Sequence, residues 1–455
     1  MFFIALLFLS SPIVTSAFTT PSWEALQSTP SLANRPPPPI YHDALPEDSS
    51  SSLPVLYRDK DCVCAACESV WLALEVKGVD YATVLVDTAA NNNDEQQVIP
   101  RISWPDDDDN NEAVTDPIKL LEQIQARYPD TAPHFYPALS SAVDASRCNI
   151  LRLPGVMPRN SDDNLMSLAP YLYRKDGTLV KPSSHAVSLE EVEEMQEEYY
   201  LGDFLCGRDI TAADIIWAPY LERYAIQLPL VYPNKARLNP RNRNVYGEVD
   251  NWYKIMEKQV PEYSCRVMGD ARHWRRCLEV ATAIHNGRAA SDDDMVSLPA
   301  VSGTSGWWVK KNRFANAGEV WSDYCSQRPW LAPTPGGEVS LFLMRNREMI
   351  VDAAVASLEG HFFDNDTADE ALREVVGVLL DWDSYFDQSS EEETAQPLSE
   401  RGLRMALFVA EEMVQVPRDM GMVPVSVLWE VIRSCDEIGG VGSVVVGEQT
   451  GAAVS

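Results

Sequence analysis

Cys62, Cys64 and Cys67 stand within the stretch "DCVCAACESVWLALEVKG", which runs from Asp61 to Gly78. Thiols this close can bind a metal, act as nucleophile and resolving partner, or pack as small apolar groups. A structural zinc site needs four ligands, usually as two separated pairs, and neither His134 nor Cys148 supplies a matching second pair. The nucleophile reading has a mechanism. Cys64-Ala65-Ala66-Cys67 is a C-x-x-C at the start of a helix-like run, where unpaired backbone N–H groups and the helix dipole stabilise a thiolate. Cys67, one turn further on, then resolves a mixed disulfide or packs in the helix. Packing alone stays open for all three, because free cysteine is often buried as a small hydrophobe.

The flanking sequence supplies the elements that would hold such a site. "LPVLYRD" reads as a strand; "ACESVWLALEVKG" places Val70, Trp71, Leu74 and Val76 near one helical face and stops at Gly78, a helix C-cap. "VDYATVLVD", rich in β-branched and aromatic residues, reads as the next strand. The cysteines thus fall at the strand-to-helix turn of a βαβ unit, the context that strengthens a C-x-x-C. Ile99 and Pro100 precede an expected hairpin with its turn in the Asp106–Asn111 polar run, and Ile118, Leu121 and Ile124 share a helical face. That run lacks the Gly and Glu of a calcium loop, so no metal site is expected.

Further along, "RDITAADIIWAPYLERY" offers Thr211 as N-cap with Asp214 three residues later, a capping box with Asp in place of Glu. Ile210 and Ile215 take the staple positions. The rest reads as helical, including "GEVSLFLMRNREMIVDAAVASL", "ADEALREVVGVLLDW", "LRMALFVAEEMV" and "PVSVLWEVIRS". His273 and His285 are too far apart for a one-face ligand pair, Trp217 and Tyr220 read first as core, and Arg418 can pair with Asp419.

A chain of 455 residues holds two or three domains. A formal charge of -31 repels nucleic acid and anionic membranes, and nine scattered cysteines suit a reducing compartment rather than a disulfide framework. "MFFIALLFLSSPIVTSAF" reads as a signal peptide cleaved after Ala17. The junction "SAFTTPSW" resembles the bipartite plastid presequences of diatoms and related algae, with residues 18–52 as transit peptide and linker; the alternative address is the secretory pathway or endoplasmic reticulum. No later apolar run approaches the ~20 residues that span a bilayer, so the mature protein is expected to have no membrane partner. The tail over 439–455 is Gly/Ser-rich and reads as disordered.

"LYRDKDCVCAACESVWLALEVKGVDYATVLVD" resembles the N-terminal domain of glutathione S-transferase family proteins, especially omega-like and plant or algal cysteine forms with W-C-P-aromatic-C at this turn. "FLCGRDITAADIIWAPYLERY" is similar to the family's C-terminal capping-box motif. The resemblance implies an α/β plus all-α fold: a thioredoxin-like domain over 53–132, an all-helical glutathione-transferase-type domain over 133–300, and a helical extension over 301–438. It implies Cys64 as nucleophile and Cys67 as optional resolving thiol. It further implies a cis Pro100 that, with Ile99, pairs with the cysteinyl part of glutathione, and Thr115-Asp116 in place of the Glu-Ser that holds the γ-glutamyl end. Glutathione is the implied co-substrate, with no metal, a small electrophile or disulfide as second substrate, no nucleic acid, and a homodimer as the family's usual state.

Two departures bear on activity: Ala65-Ala66 lacks the stiffening Pro, and Asp116 puts a negative charge near an anionic ligand group. The expected function is therefore a glutathione-dependent thiol transferase or reductase, and the alternative a non-catalytic module of the same fold used for protein association. The substrate pocket is expected between the thioredoxin-like and helical domains.

Overall fold

The computed structural model describes residues 20–30, 32–33, 35–36, 38–42, 45, 52–87, 98–106, 114–135, 204, 208–231, 241–244, 247–277, 316–358, 364–386 and 398–439. The signal peptide, most of the aspartate run, residues 136–203 and residues 440–455 of the C-terminal tail lie outside them.

The strand-helix-strand reading holds. β2 (Val55–Asp59), α2 (Ala65–Val76) and β3 (Ala82–Val86) form a parallel unit. β4 (Arg101–Ser103) pairs antiparallel with β2, and α3 (Pro117–Arg127) packs on α2. Parallel βαβ followed by an antiparallel strand makes this half thioredoxin-like; the Ile99–Pro100 peptide bond is cis. α2 stops where expected: Lys77 is the C-cap and Gly78 follows with φ +60°, a left-handed conformation that glycine adopts without steric cost. α2 is not one-sided, however. Every residue from Ala65 to Glu75 is buried, because the sheet, α3 and the later helices surround it.

One expectation is corrected. The segment read as transit peptide and linker contains structure: α1 (Trp23–Gln27) and β1 (Ile40–His42), which pairs parallel with β3 and completes the sheet order β1-β3-β2-β4. Pro38 and Pro39 lead into this edge strand, where a residue without an N–H is tolerated. Trp23 Nε1 donates to Asp369 at 2.7 Å, and Arg35 donates to the carbonyl of Leu331. A fold starting at Leu53 would lack these contacts. Composition missed them because a three-residue strand and a five-residue helix carry too little periodicity.

The helical part contains α4 (Ala212–Val231), α5 (Gly247–Gln259), a π-helical turn (Tyr263–Val267) and a helix over 271–277. The extension adds α6 (Ala317–Cys325), α7 (Pro335–Arg345), α8 (Arg347–Ser357), α9 (Asn365–Phe386), α10 (Glu400–Phe408) and α11 (Met422–Gly439). The expected capping box is present: Asp214 Oδ2 accepts from Thr211 N at 2.9 Å and Thr211 Oγ1 at 3.0 Å, while its other oxygen accepts from Trp252 Nε1. Ile210 and Ile215 are both buried. Apolar residues from Leu26 to Cys435 join one principal core, so the extension is packed into the molecule. Gly421, just before α11, permits close approach, since a Cβ there would meet the Cys265 carbonyl. Among the described residues no helix is long and apolar enough to cross a membrane.

Candidate functional site

β2 ends at Asp59, whose buried carboxylate organises the turn that follows. Its oxygens accept from the N–H groups of Asp61 at 3.1 Å, Val63 at 2.7 Å and Cys64 at 3.1 Å. Burial pushes the Asp59 carboxyl up, and these N–H donors pull it back. Cys62, inside the turn, has φ 54°. That region is sparsely populated by residues with a side chain and costs on the order of 1 kcal/mol or more. Its thiol accepts from Arg58 Nη1 at 3.0 Å, and burial pushes it up to about 11. Cys62 is therefore a protonated, packed thiol.

Cys64 is the N-cap of α2, half-buried, and its Sγ accepts from Cys67 N at 3.2 Å. Cys67 lies inside the helix and is buried; burial first, then the hydrogen bond and charge of Cys64, raise its thiol well above the ordinary range. The two thiols of the C-x-x-C thus differ in access. Cys62, Cys64 and Cys67 all carry free thiols, and among the described residues no group of His, Cys, Asp and Glu is placed to hold a metal.

The antiparallel register, Tyr57↔Arg101 and Leu56↔Ile102, sets Pro100 and Ile99 beyond Arg101, at the end of the sheet where β2 enters the thiol turn. Pro100 is buried after its cis bond, and half-buried Ile99 packs against the apolar cluster of Val55, Ala82, Val84 and Val86. Asp116 is the exposed N-cap of α3, its Oδ1 accepting from Ile118 N at 2.9 Å and Lys119 N at 3.4 Å; Thr115 precedes it, half-buried. The sheet register therefore places Ile99 and Pro100 at the sheet end where β2 runs into the turn that carries Cys64. The Asp116 carboxylate is engaged by its own helix. Trp217 and Tyr220 are buried in the core.

A second layer went unread in the sequence. Glu68, four residues after Cys64, forms a buried ion pair with Arg223 of α4 at 2.7 Å. Arg223 Nη2 also lies 3.3 Å from the carbonyls of both Cys62 and Val63. Glu68 is pushed up to about 7 by burial, against the pull of Arg223. His273 Nε2 is 3.4 Å from the Cys62 carbonyl and 3.5 Å from Cys277 Sγ; burial lowers it to about 3, so it is neutral. Its i, i+4 neighbour is Cys277, not the distant His285. The available signal was charge in apolar context: Glu68 in "ACESVWLALEV" and Glu222-Arg223 in "APYLERY" interrupt largely apolar runs.

A cavity of about 670 Å³ lies elsewhere, between the β1 edge of the sheet and the extension. Lys60 and Asp61 line it, with Ile40, Arg266, Glu338 and Phe342. Cys64, Pro100, Trp217 and Tyr220 do not, so this cavity is not the one expected between the thioredoxin-like and helical domains.

No protein-family model matches the chain, and no curated protein does. Solved structures similar to it include glutathione transferase Omega 3C from Trametes versicolor, 15% identical, with 53% of this chain and 94% of that chain covered and a TM-score of 0.35. Omega 1C from the same organism is 15% identical over 53% of this chain and 100% of its own, with a TM-score of 0.37. A glutathione transferase homolog from Drosophila mojavensis with bound glutathione is 16% identical, over 51% of this chain and 97% of that chain, with a TM-score of 0.36. The thioredoxin-like assignment rests on the chain's own strand order and the α2–α3 packing.

Proposed function

We propose that the protein is a glutathione-dependent thiol transferase or reductase with Cys64 as nucleophile. The observation that carries this is the Cys64 Sγ at the N-cap of α2, accepting the Cys67 amide at 3.2 Å, at the sheet end that also holds cis-Pro100. Cys64 thiolate attacks the glutathione sulfur of a mixed disulfide; a Cys64–glutathione disulfide forms and the substrate leaves as thiolate, which takes up a proton. A second glutathione thiolate then attacks the glutathione sulfur, releasing oxidised glutathione and restoring Cys64. Alternatively Cys67, once deprotonated, attacks Cys64 Sγ and expels glutathione.

Ile99 and Pro100 offer a backbone edge to the cysteinyl moiety, and Thr115 with Asp116 lies at the γ-glutamyl end. The protein works as a homodimer in the plastid, reached through the presequence. The test is glutathione-dependent reduction of a small mixed disulfide by chain starting at Phe18. Cys64→Ser is expected to lower the rate at least ~10³-fold, as loss of a covalent nucleophile does. Equal rates would remove Cys64 from the reaction.

A non-catalytic association module is favoured by one observation, the engagement of the Asp116 carboxylate by the amides of α3. Failure of the folded protein to bind immobilised glutathione, together with no turnover, would select that reading.

A further inference from the structure

Arg223 sits where three elements meet: α2, α4 and the helix over 271–277. Its guanidinium stacks 4.0 Å from the Trp274 ring, and Nη1 donates to the Pro219 carbonyl at 2.6 Å. Nη2 is shared between the carbonyls of Cys62 and Val63, the two residues directly before Cys64. Both Arg223 and its counter-ion Glu68 are almost wholly buried.

The orientation of the fork is informative. An arginine and a carboxylate frequently pair through two parallel N–H bonds. Here Nη1 lies 2.7 Å from Glu68 and also donates to the Pro219 carbonyl, while Nη2 turns to the carbonyls of Cys62 and Val63. A buried ion pair by itself gives little stability over apolar packing, so the pair's directed contacts with the turn are its distinguishing feature. The turn needs holding: Cys62 is at φ 54°, and the sequence lacks a proline between Cys64 and Cys67.

We propose that Arg223 is a positioning residue for Cys64: by gripping the Cys62 and Val63 carbonyls from α4, it fixes the turn that aims the first amides of α2 at the thiol. The helical part of the chain thereby sets the reactivity of a thiol carried by the thioredoxin-like part. The inference rests on Cys64 being the reacting group and on nothing about glutathione. With Arg223 removed, the Cys62 and Val63 carbonyls lose their donor and the Cys64–Cys67 amide contact loosens, which lowers the reactivity of the thiol.

The test is the rate of iodoacetamide alkylation at Cys64 in the full chain, resolved by peptide mass spectrometry across a pH series. Glutathione takes no part, so a failed transferase assay leaves this measurement intact. Arg223→Met is expected to move the midpoint of the rate profile up by about one unit, lowering the rate at neutral pH about tenfold. Arg223→Lys, which keeps a donor for one carbonyl, should recover part of the loss. Glu68→Gln, which keeps the grip and removes the counter-ion, should stay within about threefold of the parent rate. An unshifted midpoint in folded Arg223→Met would overturn the proposal, as would a Glu68→Gln effect as large as that of Arg223→Met. Should Arg223→Met not fold, Arg223→Lys decides: a raised midpoint supports the proposal and an unchanged one ends it.

Discussion

Helix α2 carries a buried glutamate near each end, and each faces an arginine from another part of the chain. At the C-terminal end, Glu75 is saturated: Oε1 accepts from Tyr81 OH at 2.5 Å, and Oε2 accepts from Arg328 Nη2 at 2.8 Å and Tyr324 OH at 3.2 Å. Trp71 Nε1 donates to Tyr81 OH at 2.7 Å and extends the network. At the N-terminal end, Glu68 meets Arg223 at 2.7 Å, and Arg223 reaches past it to the thiol turn. The same pair of residue types thus does two jobs. A fully satisfied polar network ties the extension to α2 and specifies its docking; a buried ion pair beside the thiol turn holds a strained turn and leaves a titratable group there.

The comparison can be broken first at the saturated end. Glu75→Ala leaves Arg328, Tyr81 and Tyr324 without their shared acceptor, and the loss of one partner from a buried pair costs about 3–5 kcal/mol. A denaturant midpoint that moved by less than the effect of an ordinary surface substitution would show that Glu75 does not anchor the extension.

The second test reads the sign of the Glu68 titration. Its folded value of about 7 exceeds the ordinary 4.5, so its contribution to stability is fully present below 4.5 and is lost as pH rises through about 7. Glu68→Gln should flatten that fall, with a difference on the order of 3 kcal/mol on the alkaline side. Parallel pH–stability curves for the two proteins would contradict this.

His273 supplies an opposite slope. With a folded value near 3 against 6.5, its contribution is present above 6.5 and is lost as pH falls through about 3. His273→Gln should therefore lose less stability on acidification than the parent, by on the order of 2 kcal/mol or more before other groups intervene. Thermal melts at mildly acidic and neutral pH measure it.

The smallest effect concerns the segment composition assigned to a linker. Trp23→Phe removes the 2.7 Å bond to Asp369 while keeping the ring, and should cost about 1 kcal/mol. No change would mean that α1 does not dock on α9 in solution.

Much of the site was readable because its elements are local. The strand over Val55–Asp59, the helix from Ala65 to its Gly78 stop, the Thr211–Asp214 box and the Arg418–Asp419 pair, bonded at 2.9 and 3.0 Å, each depend on neighbours within a few residues. Pro100 was legible through resemblance, and its cis bond is present. Asp59, Glu68, Arg223 and His273 were not, because the contacts that give them meaning join residues up to 211 positions apart. β1 was hidden for a related reason: three residues become a strand only when β3 offers its edge.

The sequence by itself determined the thiol-bearing βαβ unit, its stop signals and the capped helix α4, since propensity, spacing and caps act over one or two turns of chain. Tertiary structure alone decided which thiol is accessible, what becomes of the buried charges and which distant arginine grips the turn. Burial and ion pairing depend on what lies across the core, and no local pattern along the chain records that.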